Sequence, residues 1–228
     1  MSAFLLVHGA FRGGWAWERV AVLLRSAGHT VHTPSLTGMG DRAHLTDRPI
    51  TLATWTDDVV AVAETYDLTD VVLVGHSQGG LVVRAAANDL GARLTSVAYL
   101  DAPVPEHGER GVDLNPGGAP DPSLLPPADL VIPPSPVVPA DDLDQDLAAW
   151  MNERLSPTPF GPSLDRVVSP APDVPAHVAF CTLTPTTYPC WVTRHRMDAA
   201  GERYTLLDAG HDAPLTRPAP VAAWLEQV

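Results

Sequence analysis

The stretch "VVLVGHSQGGLVV", residues 71–83, constrains this chain more than any other. Four β-type residues run into Gly75-His76-Ser77-Gln78-Gly79, and the apolar residues that follow recur at helical spacing. A strand that turns directly into a helix over G-x-S-x-G needs residues without bulky side chains on either side, and it lifts the serine hydroxyl clear of the sheet. The backbone N–H of Gln78 then opens the helix and points at the space beside Ser77, where a carbonyl oxygen under attack gains negative charge. The pentapeptide alone is a weak signal, and its placement between strand and helix gives it weight.

The remainder of the chain alternates in the same way. Ala3–His8 reads as a strand, Trp17–Ala27 as a helix stopped by Gly28, Thr30–Thr33 as a strand and Thr54–Tyr66 as a helix. After the strand Val71–Val74 and the helix Gly79–Leu90 come strands over Thr95–Leu100, Val178–Thr182 and Tyr204–Leu207, with helices near 190–200 and 217–227. This order predicts an α/β chain: a mainly parallel sheet of about six strands flanked by helices on both faces.

Residues 103–175 break the alternation. They hold 17 of the 24 prolines and one helical pattern, Leu143–Leu155. A disordered linker is the alternative, but Leu124, Leu125, Leu130, Val131, Ile132, Trp150 and Phe160 are too apolar for a solvated spacer. We read the segment as a proline-stiffened cap inserted into a single domain spanning 1–228.

Charge narrows the partners. Against 27 acidic residues stand 14 basic ones, all arginine, for a net charge of −13. Such a surface repels nucleic acid and anionic lipid at long range, so a small-molecule substrate is the expected partner, and the sequence leaves open whether the chain forms a homodimer. The opening "MSAFLLVHGA" reads as a strand rather than a signal peptide or membrane span. Cys181 and Cys190 are close enough in sequence to pair, but Cys181 falls on a buried strand, so two reduced thiols in a cytoplasmic protein are expected.

A serine is inert without a base. His211, in "YTLLDAGHD" after the last strand, has the chain position that this kind of fold gives its histidine. His29, His32, His44, His107, His177 and His195 fall where solvated or packing roles are the default, and His8 and His76 flank glycines as supporting residues. A second oxyanion donor comes from the Ala10 amide in "HGAF", after the first strand.

The segments "LLVHGAFRGGWAWERVAVLLRSAGHTV", "GMGDRAHL", "LTDVVLVGHSQGGLVV" and "VAYLDAPVPEHG" resemble the α/β-hydrolase family that includes small plant methyl-ester esterases, hydroxynitrile lyases and bacterial esterases. The likeness covers roughly residues 3–108 and returns at 204–220. It implies Ser77 as nucleophile, His211 as base and the Ala10 and Gln78 amides as oxyanion hole, in an enzyme without cofactor or metal. Where the family places its acid, in a segment resembling C-T-x-D, this chain reads "CTLTPTTYP" and has Thr184.

Three arrangements answer that gap. Asp101, ending the fourth strand, can serve as a displaced acid; Ser77 and His211 can act as a dyad helped by Thr184 or water; or another carboxylate such as Asp208 or Asp212 can substitute, although both lie too near His211 in sequence to face its ring easily. Phe11, Trp15 and Trp150 are candidates for lining an apolar substrate pocket, Trp17, Phe160 and Trp191 are further aromatic candidates around the site, and Arg12 and Arg42 could pair with a substrate carboxylate.

The expected reaction is hydrolysis of an ester, thioester or lactone of a small, largely apolar or aromatic metabolite through an acyl-enzyme. A lyase or cyclase that uses Ser77 and His211 for proton transfer is the alternative, and a non-catalytic ligand-binding protein is the third reading. Hydroxynitrile lyases, by the same resemblance, use a threonine where this chain has Gly9, and a lysine, of which this chain has none.

Overall fold

The structure, a computed structural model, describes residues 1–46 and 48–228. Along the chain run β1 (Ala3–Val7), α1 (Glu18–Ser26), β2 (Thr30–His32), α2 (Leu52–Thr65), β3 (Val71–His76), α3 (Gly79–Leu90) and β4 (Leu94–Leu100). Then come β5 (Val131–Ile132), α4 (Gln145–Asn152), β6 (Thr158–Pro159), α5 (Gly161–Leu164), β7 (Ala176–Cys181), α6 (Cys190–Ala200), β8 (Thr205–Leu207), α7 (Ala213–Thr216) and α8 (Pro218–Leu225). The strands and helices expected outside residues 103–175 all form, with ends displaced by no more than two residues.

Six strands build one sheet in the order β2-β1-β3-β4-β7-β8, and every pairing in it is parallel. Side chains alternate across each strand, so one strand feeds two cores. Leu5, Val7, Val71, Leu73, Val97 and Tyr99 pack with α2 and α3 on one face. Phe4, Leu6, Val72, Val74, Ala98 and Leu100 pack with α1 and α8 on the other. Burial on both faces is why these strands read as continuous apolar runs, each fully buried Val or Leu contributing about 1.5–3 kcal/mol.

Strand order also fixes where a site can form. The chain steps from β1 outward to β2, then returns across β1 to β3, so the order reverses between β1 and β3. The loops leaving the carboxyl ends of these two strands diverge there and open a crevice. Gly9–Phe11 follow β1 and Ser77 follows β3, so both stand at that crevice.

The segment between β4 and β7 carries more structure than its one sequence pattern indicates. Helix α4 is shorter than Leu143–Leu155, being capped by Asp144, whose carboxylate accepts from the Leu147 amide at 2.7 Å. β5 and β6 form a two-stranded antiparallel sheet, and Pro162 sits in the first turn of α5. Two-residue strands have no period to read. The segment is tied to the sheet's loops: the Ser156 amide donates to Phe11 O at 3.1 Å, and the Gly210 amide to Asp142 Oδ2 at 2.6 Å.

Both cysteines are free and buried, and burial pushes both thiols up, so they stay protonated. None of the described helices is long and apolar enough to cross a membrane.

Candidate active site

The turn after β3 is built by its glycines. A Cβ on Gly75 would lie 2.6 Å from Gly79 O, and one on Gly79 would lie 2.6 Å from Val7 O, so neither position admits a side chain. Between them Ser77 is held at φ 52°, in the left-handed region, with its amide donating to Leu100 O at 3.1 Å and its carbonyl accepting from Gly80 N at 2.9 Å. Left-handed backbone at a non-glycine residue costs energy, and here the neighbouring strand and helix hold it.

Gly9 permits β1's loop to approach. A Cβ there would meet Ser77 Cβ at 2.8 Å, so the threonine of the lyase pattern does not fit at this position without displacing the serine. Phe11 is also left-handed, at φ 63°, and β6 supports it: its amide donates to Thr158 Oγ1 at 2.6 Å. The Ala10 and Gln78 amides have no hydrogen-bond partner among the described residues, and both residues line the cavity that contains Ser77. The Gln78 side chain donates from Nε2 to Ser163 Oγ at 3.0 Å and so reaches the segment between β4 and β7.

His211 bridges the two remaining residues of interest. Its Nε2 is 2.9 Å from Ser77 Oγ and its Nδ1 is 2.6 Å from Asp101 Oδ2. The acceptor carboxylate requires the proton on Nδ1, which leaves Nε2 to accept from the serine hydroxyl. The His211 carbonyl accepts from His76 Nε2 at 2.7 Å, and the Tyr188 ring stands edge-on at 4.5 Å.

Asp101 is also left-handed, at φ 48°, and 1% exposed. Its Oδ1 accepts from the Cys181 amide at 3.1 Å and its Oδ2 from Thr184 Oγ1 at 2.5 Å, in addition to His211. Burial opposes ionisation, but the hydrogen bond and charge of His211, with Thr184 and Cys181, outweigh it and hold the carboxyl below its ordinary value.

The other arrangements raised by the sequence separate here. Thr184 hydrogen-bonds Asp101. Asp212 is bound by Arg12, through Nε at 3.1 Å and Nη2 at 3.0 Å, and Asp208 accepts from Thr182 Oγ1 at 3.5 Å. Burial opposes ionisation of Asp212 too, but the Arg12 guanidinium, by its charge and its hydrogen bonds, holds the carboxyl below the usual carboxylate range. Arg42 pairs with Asp58 at 2.8 Å. Both arginines expected to wait for a substrate carboxylate therefore have internal partners.

His8 and His76 are buried and neutral. The His8 Nδ1–H donates to Gly9 O at 2.8 Å while Nε2 accepts from the Leu36 amide at 3.0 Å, a pairing that needs the uncharged ring. Burial pushes His8 down to about 4 and His76 to about 3.

Of the three aromatic pocket candidates, only Phe11 lines the Ser77 cavity, which measures about 390 Å³. Trp15 and Trp150 are a correction. They pack edge to face at 5.3 Å and wall a separate cleft with Glu18, Arg19 and Asp41, because Trp15 packs beside Leu143, Met151 and Leu215 rather than toward the serine. Trp191 lies behind the site, its Nε1 donating to Thr184 O at 3.2 Å. Residues that the sequence did not single out, Tyr188, Thr158, Ser163 and Asp142, complete the surroundings; only Tyr188, in the same "CTLTPTTYP" segment as Thr184, carried a signal. No group of three or more His, Cys, Asp or Glu among the described residues could hold a metal ion.

Known proteins share this framework. The chain is 48% identical over 120 residues to a carbendazim hydrolyzing esterase of Nocardioides sp. (strain SG-4G), covering 53% of this chain and 50% of that protein. It is 33% identical over 104 residues to salicylic acid-binding protein 2 of Nicotiana tabacum, covering 45% and 40%. The chain thus matches half or less of the length of these curated relatives. Among solved structures, an extracellular alpha/beta-hydrolase from a Paenibacillus species superposes with a TM-score of 0.77 at 21% identity, covering 100% of this chain and 98% of that one. A methylesterase from Arabidopsis does so with a TM-score of 0.77 at 20% identity, covering 100% and 98%. At these identities the likeness is one of fold. The family profile runs from residue 4 in the first strand to residue 224 in the last helix, and on that match the chain belongs to the alpha/beta hydrolase family.

Proposed function

We propose that the chain is a serine carboxylic-ester hydrolase in which Ser77, His211 and Asp101 form the catalytic triad. One observation carries the reading: the hydrogen-bonded chain from Ser77 Oγ to His211 Nε2, 2.9 Å, and from His211 Nδ1 to Asp101 Oδ2, 2.6 Å. His211 takes the serine proton as Oγ attacks the acyl carbon, and Asp101 holds the ring in the required tautomer and balances the imidazolium. The Ala10 and Gln78 amides stabilise the oxyanion. His211 then protonates the leaving group, and water hydrolyses the acyl-enzyme by the same route in reverse.

The substrate is a small, largely apolar or aromatic ester, thioester or lactone, in keeping with Phe11, Leu81 and Pro103 on the Ser77 cavity wall. Esterase names among the relatives agree with the reaction. The segment 103–175 serves as the cap of a single domain. Two unpaired thiols suit a reducing compartment, and we place the protein in the cytoplasm. Self-association as a homodimer is read by sedimentation.

A fluorophosphonate probe tests the reaction. One adduct on Ser77, absent in Ser77→Ala, with a burst of p-nitrophenol from p-nitrophenyl acetate, is expected. A protein that takes no label and turns over no ester is a binding protein, and turnover of another substrate without any acyl-enzyme is the lyase chemistry.

A further inference from the structure

Two cavities meet at His211. The one of about 390 Å³ contains Ser77 with Ala10 and Gln78. The other, about 550 Å³, lies between residues 135–143, the loop holding Leu183 and the end of α7 at Thr216. They share Phe11, Arg12, Tyr188 and His211, and the larger one touches neither Ser77 nor the two free amides.

Resting on the ester-hydrolase reading, the chemistry assigns each cavity a half of the substrate. When Ser77 Oγ bonds to the acyl carbon, its proton passes to His211 Nε2 and the carbonyl electrons move onto the oxyanion between the Ala10 and Gln78 amides. Collapse breaks the bond from carbon to the alcohol oxygen, and that oxygen takes the proton from Nε2. The alcohol oxygen must therefore lie on the histidine side of the tetrahedral carbon, and the acyl substituent on the serine side. We infer that the larger cavity is a leaving-group site, and that the substrates are esters of a bulky, ring-bearing or branched alcohol rather than of methanol.

Its lining suits such an alcohol. Val137, Val138, Leu143 and Leu183 supply apolar wall beside Asp141, Asp142 and the Arg12–Asp212 pair, and Tyr188 lines both cavities. The volume is within the range of built small-molecule sites.

The test holds the acyl group constant as propanoyl and changes the alcohol from methanol to benzyl alcohol to 2-naphthylmethanol, which have similar leaving-group basicity. The kcat/KM should rise about tenfold or more along the series, as expected for added apolar contact in a fitted pocket. Leu183→Trp, at a half-exposed wall position of the larger cavity only, should flatten that rise, and Val138→Trp is the substitute if Leu183→Trp does not fold. Free 2-naphthylmethanol should inhibit competitively. A flat or falling series, with p-nitrophenyl acetate still hydrolysed, overturns the leaving-group site alone and makes the cavity an entrance. Loss of p-nitrophenyl acetate turnover and of fluorophosphonate labelling overturns the ester-hydrolase reading, and this inference with it.

Discussion

Thr184 Oγ1 lies 2.5 Å from Asp101 Oδ2, the same oxygen that faces His211 Nδ1 at 2.6 Å. The residue that stands at the family's usual acid position thus meets a carboxylate supplied by the neighbouring strand, β4. Loss of the hydroxyl removes a donor from a buried anion, a hydrogen bond of the charged class that contributes about 1.5–3 kcal/mol. Thr184→Val should lower kcat about tenfold or more with the fold intact, because the carboxylate that orients His211 loses a donor. Thr184→Ser should restore it. A valine variant with wild-type kcat would make the contact incidental.

Trp150 belongs to a packing cluster, not to the Ser77 cavity. It meets Trp15 edge to face and carries the Arg154 guanidinium 4.1 Å above its ring. Trp150→Ala should cost about 1–3 kcal/mol in urea unfolding, with KM for p-nitrophenyl acetate little changed. A shifted KM at unchanged stability would return this residue to the substrate site.

Acid should destabilise the fold well above the carboxylate range. His8 and His76 are held at about 4 and about 3, whereas in the unfolded chain they titrate near the ordinary histidine value of 6.5. As pH falls below that value the unfolded state takes up protons that the native state refuses, so stability falls with pH until each folded value is reached. Between pH 7 and 5 each histidine accounts for a loss of about 2 kcal/mol, at 1.36 kcal/mol per unit of separation. Urea midpoints across that window measure the slope, and His8→Gln should reduce it. A pH-independent midpoint would mean that the two rings are not neutral.

Asp142 holds the His211 loop from the segment between β4 and β7, accepting from the Gly210 amide at 2.6 Å and from Thr216 Oγ1 at 2.8 Å. Asp142→Ala should lower kcat severalfold by loosening the loop, with the fluorophosphonate adduct still forming on Ser77, more slowly. Labelling at the wild-type rate would leave Asp142 no part in positioning His211.

What the sequence made legible was local. Strands such as Val71–Val74 and the helix after Ser77 are continuous patterns, and His211 and Asp101 follow strand ends that those patterns locate. Thr158, Ser163 and Asp142 act across separations of 147, 85 and 68 residues from a segment dominated by proline, where no periodicity marks which side chain turns inward. Trp15 and Trp150 show the same boundary from the other side. An aromatic side chain announces burial, but whether it faces the serine or a neighbouring cluster depends on the path of residues 103–175.

Asp101 in the role of the triad acid is tested most directly by kcat of Asp101→Asn, measured with urea unfolding alongside. The amide preserves shape but cannot balance imidazolium, so kcat should fall by about 10⁴ while the fold remains intact, and Thr184→Asp in the same chain should recover part of the loss. Retention of more than about a third of wild-type kcat, where a lost triad acid costs about 10⁴, would contradict the assignment and leave Ser77 and His211 acting without a carboxylate.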